Sequence, residues 1–372
     1  MKDLQDILTA YDLLNGQPAA LATVVKTRGS SYRKPGARML IRTDGTMVGA
    51  LSGGCLENDV ATKAANLINT ERSELAVFDM TTPDDDLWGY GQGCNGVIFV
   101  FIEPLGGAKN PDPFSVFDDA INRRRSSVLV TVFRTEGEIR VPLGARVALS
   151  DNGTVKENVR HPVLTSALVE QAELALREGT TRCREIRLTE GMVEVLVEII
   201  QPPVFLVIAG GGTDAIPVHR IAKELGWQVC VTDHRPAFAT KERFPFADRT
   251  LVRTPEELSG EISVDHRTAV VIMTHHFEHD LALLLHFART PVPYIGLLGP
   301  AKRSELLLQR LEEQGPALNN EQRSRLHSPV GLNIGAEAPE EIALAIIGEI
   351  QTVLTGHRGG FMRDKRGSIH GS

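Results

Sequence analysis

Val204-Phe205-Leu206-Val207-Ile208-Ala209-Gly210-Gly211-Gly212-Thr213-Asp214-Ala215 is the stretch that decides the fold of the second half of the chain. Residues 204–208 are a continuous apolar run of strand length. The glycines that follow fit G-x-G-x-x-A, and residues 214–225 carry helical periodicity. Glycine permits a tight turn and the close approach of a phosphate, and a helix N-terminus offers oriented N–H groups. Asp233 lies about 20 residues on, at the end of the next strand (228–232), where a ribose hydroxyl would be bound. Further strands at 268–273 and 293–296 alternate with helices at 280–289, 301–314 and 339–354. This alternation predicts a parallel sheet faced by helices, a Rossmann-like domain over residues 203–356. Gly210, Gly212, Ala215 and Asp233 are then candidate dinucleotide contacts. A Rossmann domain that serves only as a scaffold stays open, because fold is not function. The segment Thr274-His275-His276-Phe277-Glu278-His279-Asp280 follows a strand, at the side of the sheet where such folds hold ligands. His275 is read as a ligand-lining residue rather than a metal ligand, since a strand-to-helix turn need not place His275 and His279 on one face.

The pair Pro202-Pro203 marks the boundary on the N-terminal side. Before it, residues 1–200 read as an α+β domain in two degenerate halves, about 1–110 and 111–200. Ala22-Thr23-Val24-Val25-Lys26-Thr27 is echoed by Val130-Thr131-Val132-Phe133-Arg134-Thr135. Gly36-Ala37-Arg38 recurs as Gly144-Ala145-Arg146, and Asp44-Gly45-Thr46 as Asn152-Gly153-Thr154, all at the same offset. Three matches in register indicate a tandem repeat. The helix expected at 57–68 has its counterpart at 164–178. The fold class expected is therefore α/β, with a duplicated α+β domain followed by a Rossmann-like one. Residues 357–372 lack a periodic apolar face and read as a mobile basic tail.

The first half holds chemistry that the second has lost. Ser52-Gly53-Gly54-Cys55-Leu56-Glu57 places a cysteine where a strand ends and a helix begins, a position that favours a thiolate. Gly89-Tyr90-Gly91-Gln92-Gly93-Cys94-Asn95-Gly96 is denser in glycine than a strand start requires. It reads as a shaped loop presenting Cys94 to a ligand. Soft thiolates suit molybdenum, copper or zinc, or sulfur transfer. Gly29-Ser30-Ser31, with Arg28, Arg33, Lys34 and Arg38 nearby, offers hydroxyls, N–H groups and cations to an anion. Each of these also has a plain reading as a tight turn. Cys183 and Cys230 read as structural.

The chain has 372 residues, 42% of them hydrophobic and 23% charged, as in ordinary globular proteins. No apolar run approaches the ~20 residues of a membrane helix. The net charge of −7 argues against nucleic acid as a partner. Four cysteines do not make a disulfide framework in a chain of this length. A reducing cytoplasm is the simplest reading of that cysteine usage, and the acidic start, without an apolar core, does not read as a signal peptide.

Together these motifs resemble the XdhC/CoxI family, maturation factors of xanthine and carbon monoxide dehydrogenases. The resemblance rests on Gly29-Ser30-Ser31, Gly36-Ala37-Arg38-Met39, Ser52-Gly53-Gly54-Cys55-Leu56-Glu57 and Gly93-Cys94-Asn95-Gly96. In the second half it rests on residues 210–215, Thr274-His275, Gly296-Leu297-Leu298-Gly299 and Pro339-Glu340-Glu341-Ile342-Ala343. Thr213 and Pro300 depart from the family pattern, and both border the expected nucleotide crevice. The resemblance implies a non-catalytic chaperone that binds molybdenum cofactor (molybdopterin) and assists its sulfuration and insertion. The implied partners are an apo xanthine dehydrogenase-type molybdoenzyme, a cysteine desulfurase and a second copy of the chain. Cys55 and Cys94 would offer thiolates to the metal. Gly29, Ser30, Ser31 and Arg38 would hold the pterin or its phosphate, beside Gly53, Gly54, Gly93 and Asn95. The Rossmann domain, with Gly210, Gly212, Ala215, Asp233 and His275, could hold a dinucleotide. The alternative is an NAD(P)-dependent oxidoreductase using that domain, which leaves the cysteine loops unexplained.

Overall fold

The computed structural model describes residues 1–70, 72–80, 96–106, 111–258, 260–314 and 318–365. Two compact units emerge: Asp3–Pro202, and Pro203–Lys365 together with Met1–Lys2.

The first unit runs α1 (Lys2–Asp12), β1 (Ala19–Gly29), β2 (Arg38–Arg42), β3 (Met47–Gly49), α2 (Glu57–Ile68), β4 (Glu74–Asp79) and β5 (Gly96–Leu105). It continues with α3 (Pro113–Asn122), β6 (Ser127–Gly137), β7 (Arg146–Ser150), β8 (Val155–Glu157), α4 (Pro162–Glu178), β9 (Arg182–Leu188) and β10 (Gly191–Ile200). The strands form two antiparallel sheets of identical order, β3-β2-β1-β5-β4 and β8-β7-β6-β10-β9. The duplication reaches into the fine structure. The β1–β5 register slips at Val25 and the β6–β10 register slips at Phe133, which is the repeat equivalent of Val25. Alternation of side chains gives each sheet two apolar faces. One face of the first sheet packs on α2 through Val24, Val60, Ala64 and Val100. One face of the second packs on α4 through Val132, Leu164, Leu168 and Val195. The inner faces meet through Val25, Phe101, Phe133 and Leu196, and around Phe114 and Phe117 of α3.

The second unit runs β11 (Phe205–Ala209), α5 (Ala215–Glu224), β12 (Gln228–Asp233), β13 (Arg249–Val252), β14 (Thr268–Ile272), α6 (Phe277–Phe287), β15 (Tyr294–Leu297), α7 (Ala301–Gln314), α8 (Asn320–Ser324), β16 (Leu326–His327) and α9 (Pro339–Thr355). Its strands are parallel in the order β13-β12-β11-β14-β15-β16. That is 3-2-1-4-5-6, the doubly wound order whose switch point lies between the first and fourth strands. Central strands buried on both faces read as unbroken apolar runs, as Phe-Leu-Val-Ile-Ala does in β11. Helix α9 begins on Pro339 and stops at Gly356, whose φ of 68° is left-handed. No helix among the described residues is long and apolar enough to cross a membrane.

Candidate functional site

Strand register brings two of the sequence motifs, together with Gly96 of a third, to one end of the first sheet. β1 ends and β5 begins there, with Gly29 opposite Gly96. β3 ends beside the start of β2, with Gly49 opposite Met39, and leads into the turn before α2. A Cβ on Gly96 would lie 2.3 Å from the Ser30 carbonyl oxygen and 2.8 Å from that of Arg28, so this position presses against the Gly-Ser-Ser turn. The Tyr32 ring stands 3.9 Å from the Cβ position of Gly53. Tyr32 therefore links the Gly-Ser-Ser turn to the cysteine turn, and nothing in its sequence context had singled it out. The Met80 N–H donates to the Gly96 oxygen at 3.0 Å. Gly93, Cys94 and Asn95 lie outside the described residues; Gly96, next in the chain, stands at this sheet end.

Cys55 is half-buried between the exposed pair Gly53-Gly54 and the first turn of α2. A hydrogen-bond net fixes its turn. The Ser52 hydroxyl donates to Glu57 Oε2 at 2.7 Å and accepts from the N–H groups of Gly54 and Leu56 at 3.2 and 3.3 Å. Cys55 Sγ donates to the same hydroxyl at 3.4 Å. The Glu57 carboxylate also accepts the N–H groups of Leu51, Ser52 and Leu56 at 3.1, 2.8 and 3.1 Å. Burial alone would raise the Glu57 carboxyl, but the Ser52 hydroxyl and these N–H groups hold it below the usual range. The N–H groups at this helix start thus serve an internal carboxylate. Cys55 stands on this bonded turn, open on its glycine side. Burial pushes Cys183 and Cys230 up to about 11, which leaves them unreactive at neutral pH.

Arg38 does not join this surface. It is 7% exposed and forms a two-pronged ion pair with Glu198 of β10, with Nη1 2.6 Å from Oε1. Its repeat counterpart Arg146, 2% exposed, pairs with Glu103 of β5, itself 1% exposed. Each arginine thus takes its acid from the other half of the unit. Arg38 is withdrawn from the loop because a buried guanidinium needs an acceptor, and Glu198 supplies it.

In the second unit the glycine turn is built for its own chain at two positions. A Cβ on Gly210 (φ 121°) would meet the Met273 oxygen at 2.3 Å, and one on Gly211 the Phe238 oxygen at 2.2 Å. Asp233, 4% exposed, points at this turn. Its carboxylate accepts the Gly211 N–H at 2.8 Å, and the Arg235 N–H, Nε and Nη2 at 2.9, 2.9 and 2.8 Å. Burial would raise this carboxyl, but those bonds bring it down to about 2. His275 is exposed, holds a left-handed φ of 59°, and places Nε2 2.9 Å from the Asp214 carboxylate. Ala215 is fully buried at the start of α5. His276 Nδ1 accepts the His279 N–H and so caps α6. His279 touches the rings of His234 and His276, at 4.4 and 4.3 Å between centroids. Burial first, then its two histidine neighbours, lower the His279 pKa. No group of three metal-binding side chains occurs among the described residues.

The profile of the XdhC and CoxI family matches residues 13–79 and 120–187, the two repeats, and that of the XdhC Rossmann domain matches residues 206–350. The chain belongs to the XdhC and CoxI family. A protein of Bacillus subtilis (strain 168) named as a probable xanthine dehydrogenase component is 33% identical over 334 residues, 90% of this chain and 92% of that protein. The molybdenum cofactor insertion chaperone PaoD of Escherichia coli (strain K12) is 25% identical over 342 residues, 92% of this chain and 85% of that one. A crystal structure titled as a xanthine dehydrogenase from Bacillus halodurans superposes with a TM-score of 0.75 at 32% identity, covering 95% of this chain and 97% of that one. The resemblance drawn from the motifs, and the α/β class with a Rossmann-type second unit, therefore hold for the whole chain.

Proposed function

We propose that this XdhC-type chain binds molybdenum cofactor as cargo and delivers it to a xanthine dehydrogenase-type apoenzyme. A cysteine desulfurase adds the terminal sulfido ligand while the cargo is held, and the carrier works as a cytoplasmic homodimer without catalytic residues of its own. One observation carries this reading. The Gly-Ser-Ser turn, the Cys55 turn and the start of β5, next to Cys94 in sequence, share one sheet end in the repeat that kept its unusual residues. Soft thiols at such a place suit molybdenum, and turn hydroxyls and N–H groups suit a phosphate. Ser30 is exposed and Ser31 half-buried, so both can reach an incoming anion. The insertion chaperone among the relatives supports the same reading.

The test is pterin content. Wild type, Cys55→Ala and Cys94→Ala would be purified without oxygen from cells making the cofactor, then oxidised and read by pterin fluorescence. Bound pterin that falls in a cysteine variant is expected. No pterin in any sample, with the client pathway active, would sink the proposal. The strand order 3-2-1-4-5-6 favours a second element, a dinucleotide in the Rossmann unit. Turnover of a nicotinamide cofactor by the purified protein would make that unit an oxidoreductase, the rival reading.

A further inference from the structure

The carboxyl ends of β11, β12 and β14 border an open cleft lined by Thr232, Asp233, His234, Arg253 and His279 among others. Two atoms there lack partners. Thr232 Oγ1 belongs to a residue 2% exposed, and His279 Nδ1 is buried as well; neither makes a hydrogen bond. Unpaired polar atoms at such a place suit a hydrogen-bonding ligand. The glycine turn agrees. Gly210 and Gly211 are pressed by backbone, but a side chain at Gly212 would meet only the movable ends of Asp214 and His275. Gly212 leaves room that its own chain does not use, at the N-terminus of α5 where a pyrophosphate would sit.

At the ribose end the usual acid is no longer free. Asp233 already accepts four hydrogen bonds, with His234 Nδ1 3.4 Å away besides. A ribose diol, which needs an acceptor there, would meet a saturated carboxylate. What occupies that carboxylate is a cation, Arg235. Arg235 is held through Nε and Nη2, which leaves Nη1 without a bond. One face of its guanidinium lies 3.6 Å over the Phe238 ring, and the side chain is 39% exposed. A planar, oriented guanidinium matches phosphate oxygens.

Building on the dinucleotide reading above, we propose that this crevice takes a dinucleotide with a ribose 2′-phosphate, of the NADP class. Arg235 binds that phosphate, and Asp233 is the positioning residue that aims it. Full-length protein would be titrated calorimetrically with NADP⁺, NAD⁺ and 2′,5′-ADP at fixed ionic strength. NADP⁺ should bind at least roughly tenfold more tightly than NAD⁺, with 2′,5′-ADP competing. Arg235→Gln should abolish the preference, weakening NADP⁺ binding and, by releasing the Asp233 carboxylate to a ribose diol, tightening NAD⁺ binding. Arg235→Lys, which keeps the charge but loses the fork, should retain part of it. Melting without ligand checks that both variants fold. NAD⁺ binding equal to or tighter than NADP⁺ overturns the 2′-phosphate assignment and leaves the dinucleotide reading standing. Binding of no nucleotide overturns both.

Discussion

Replacing Arg146 by Met should destabilise the first unit severely, and the structure says by how much. Arg146 is 2% exposed and its partner Glu103 1%. The substitution would leave a carboxylate in the interface between the sheets with its cation gone. Breaking a buried pair from one side costs about 3–5 kcal/mol. The native pair is itself imperfect, because Arg146 Nε and Nη1 are buried without partners beside a cavity of about 10 Å³. A space of that size holds one water at most. The double variant Arg146→Met/Glu103→Met removes the charges and the orphaned donors together. It should fall within about 1 kcal/mol of wild type, since apolar replacements of buried pairs are often neutral or better. A chain of two units does not unfold in one step, so a bulk urea curve would blur the result. Native-state hydrogen exchange of the β5 and β6 amides reports on the first unit alone. A loss below about 1 kcal/mol in the single variant, or an equal loss in the double, would refute the claim that desolvation dominates here.

Iodoacetamide at pH 8 should label Cys55 in the folded protein and spare Cys183 and Cys230. Thiols pushed up to about 11 are ionised there in roughly one molecule in a thousand, and peptide mass spectrometry reads the outcome. Asp233 has a carboxyl pKa lowered to about 2, so its contribution to stability is full above its unfolded value near 4 and is lost as pH falls towards 2. The difference in melting temperature between wild type and Asp233→Asn should accordingly be flat above about pH 5 and shrink below about pH 4. Gly211→Ala should destabilise the second unit by several degrees, because its Cβ would sit 2.2 Å from the Phe238 oxygen. Gly212→Ala should leave the melting temperature nearly unchanged and weaken dinucleotide binding. Equal effects on melting would contradict the distinction between the two glycines.

Periodicity alone located much of this fold. The expected helices at 57–68 and 301–314 begin and end where α2 and α7 do. Others were legible in type but not in bounds. α6 starts at Phe277 rather than 280, because His276 caps it, and a histidine cap is a weak sequence signal. β13, Arg-Thr-Leu-Val, is a four-residue edge strand without a buried residue, and no alternation announces it. At the candidate site the cysteine and glycine turns stood out as motifs, but only the folded loop brings the Tyr32 ring to Gly53. Arg38 was recoverable. Gly-Ala-Arg survives in both repeats, whereas the unusual turns survive in one, and a residue kept in the degenerate copy is better read as structural. Asp233 was harder. Its position at the end of β12 is that of a ribose acid, and only the fold shows that Arg235, two residues on, already occupies it.

The exchange of partners between the repeats, Arg38 with Glu198 and Arg146 with Glu103, is how an isologous interface is made: i meets j and j meets i. A lone repeat would strand one arginine and one glutamate, and could satisfy both only by doubling on itself about a two-fold axis. Fusion into a single chain fixes that pairing at one to one and makes it independent of concentration. It also frees the two copies to diverge. One can keep the exposed glycine and cysteine turns while the other serves as its permanent partner, an asymmetry that a true homodimer of identical repeats could never acquire.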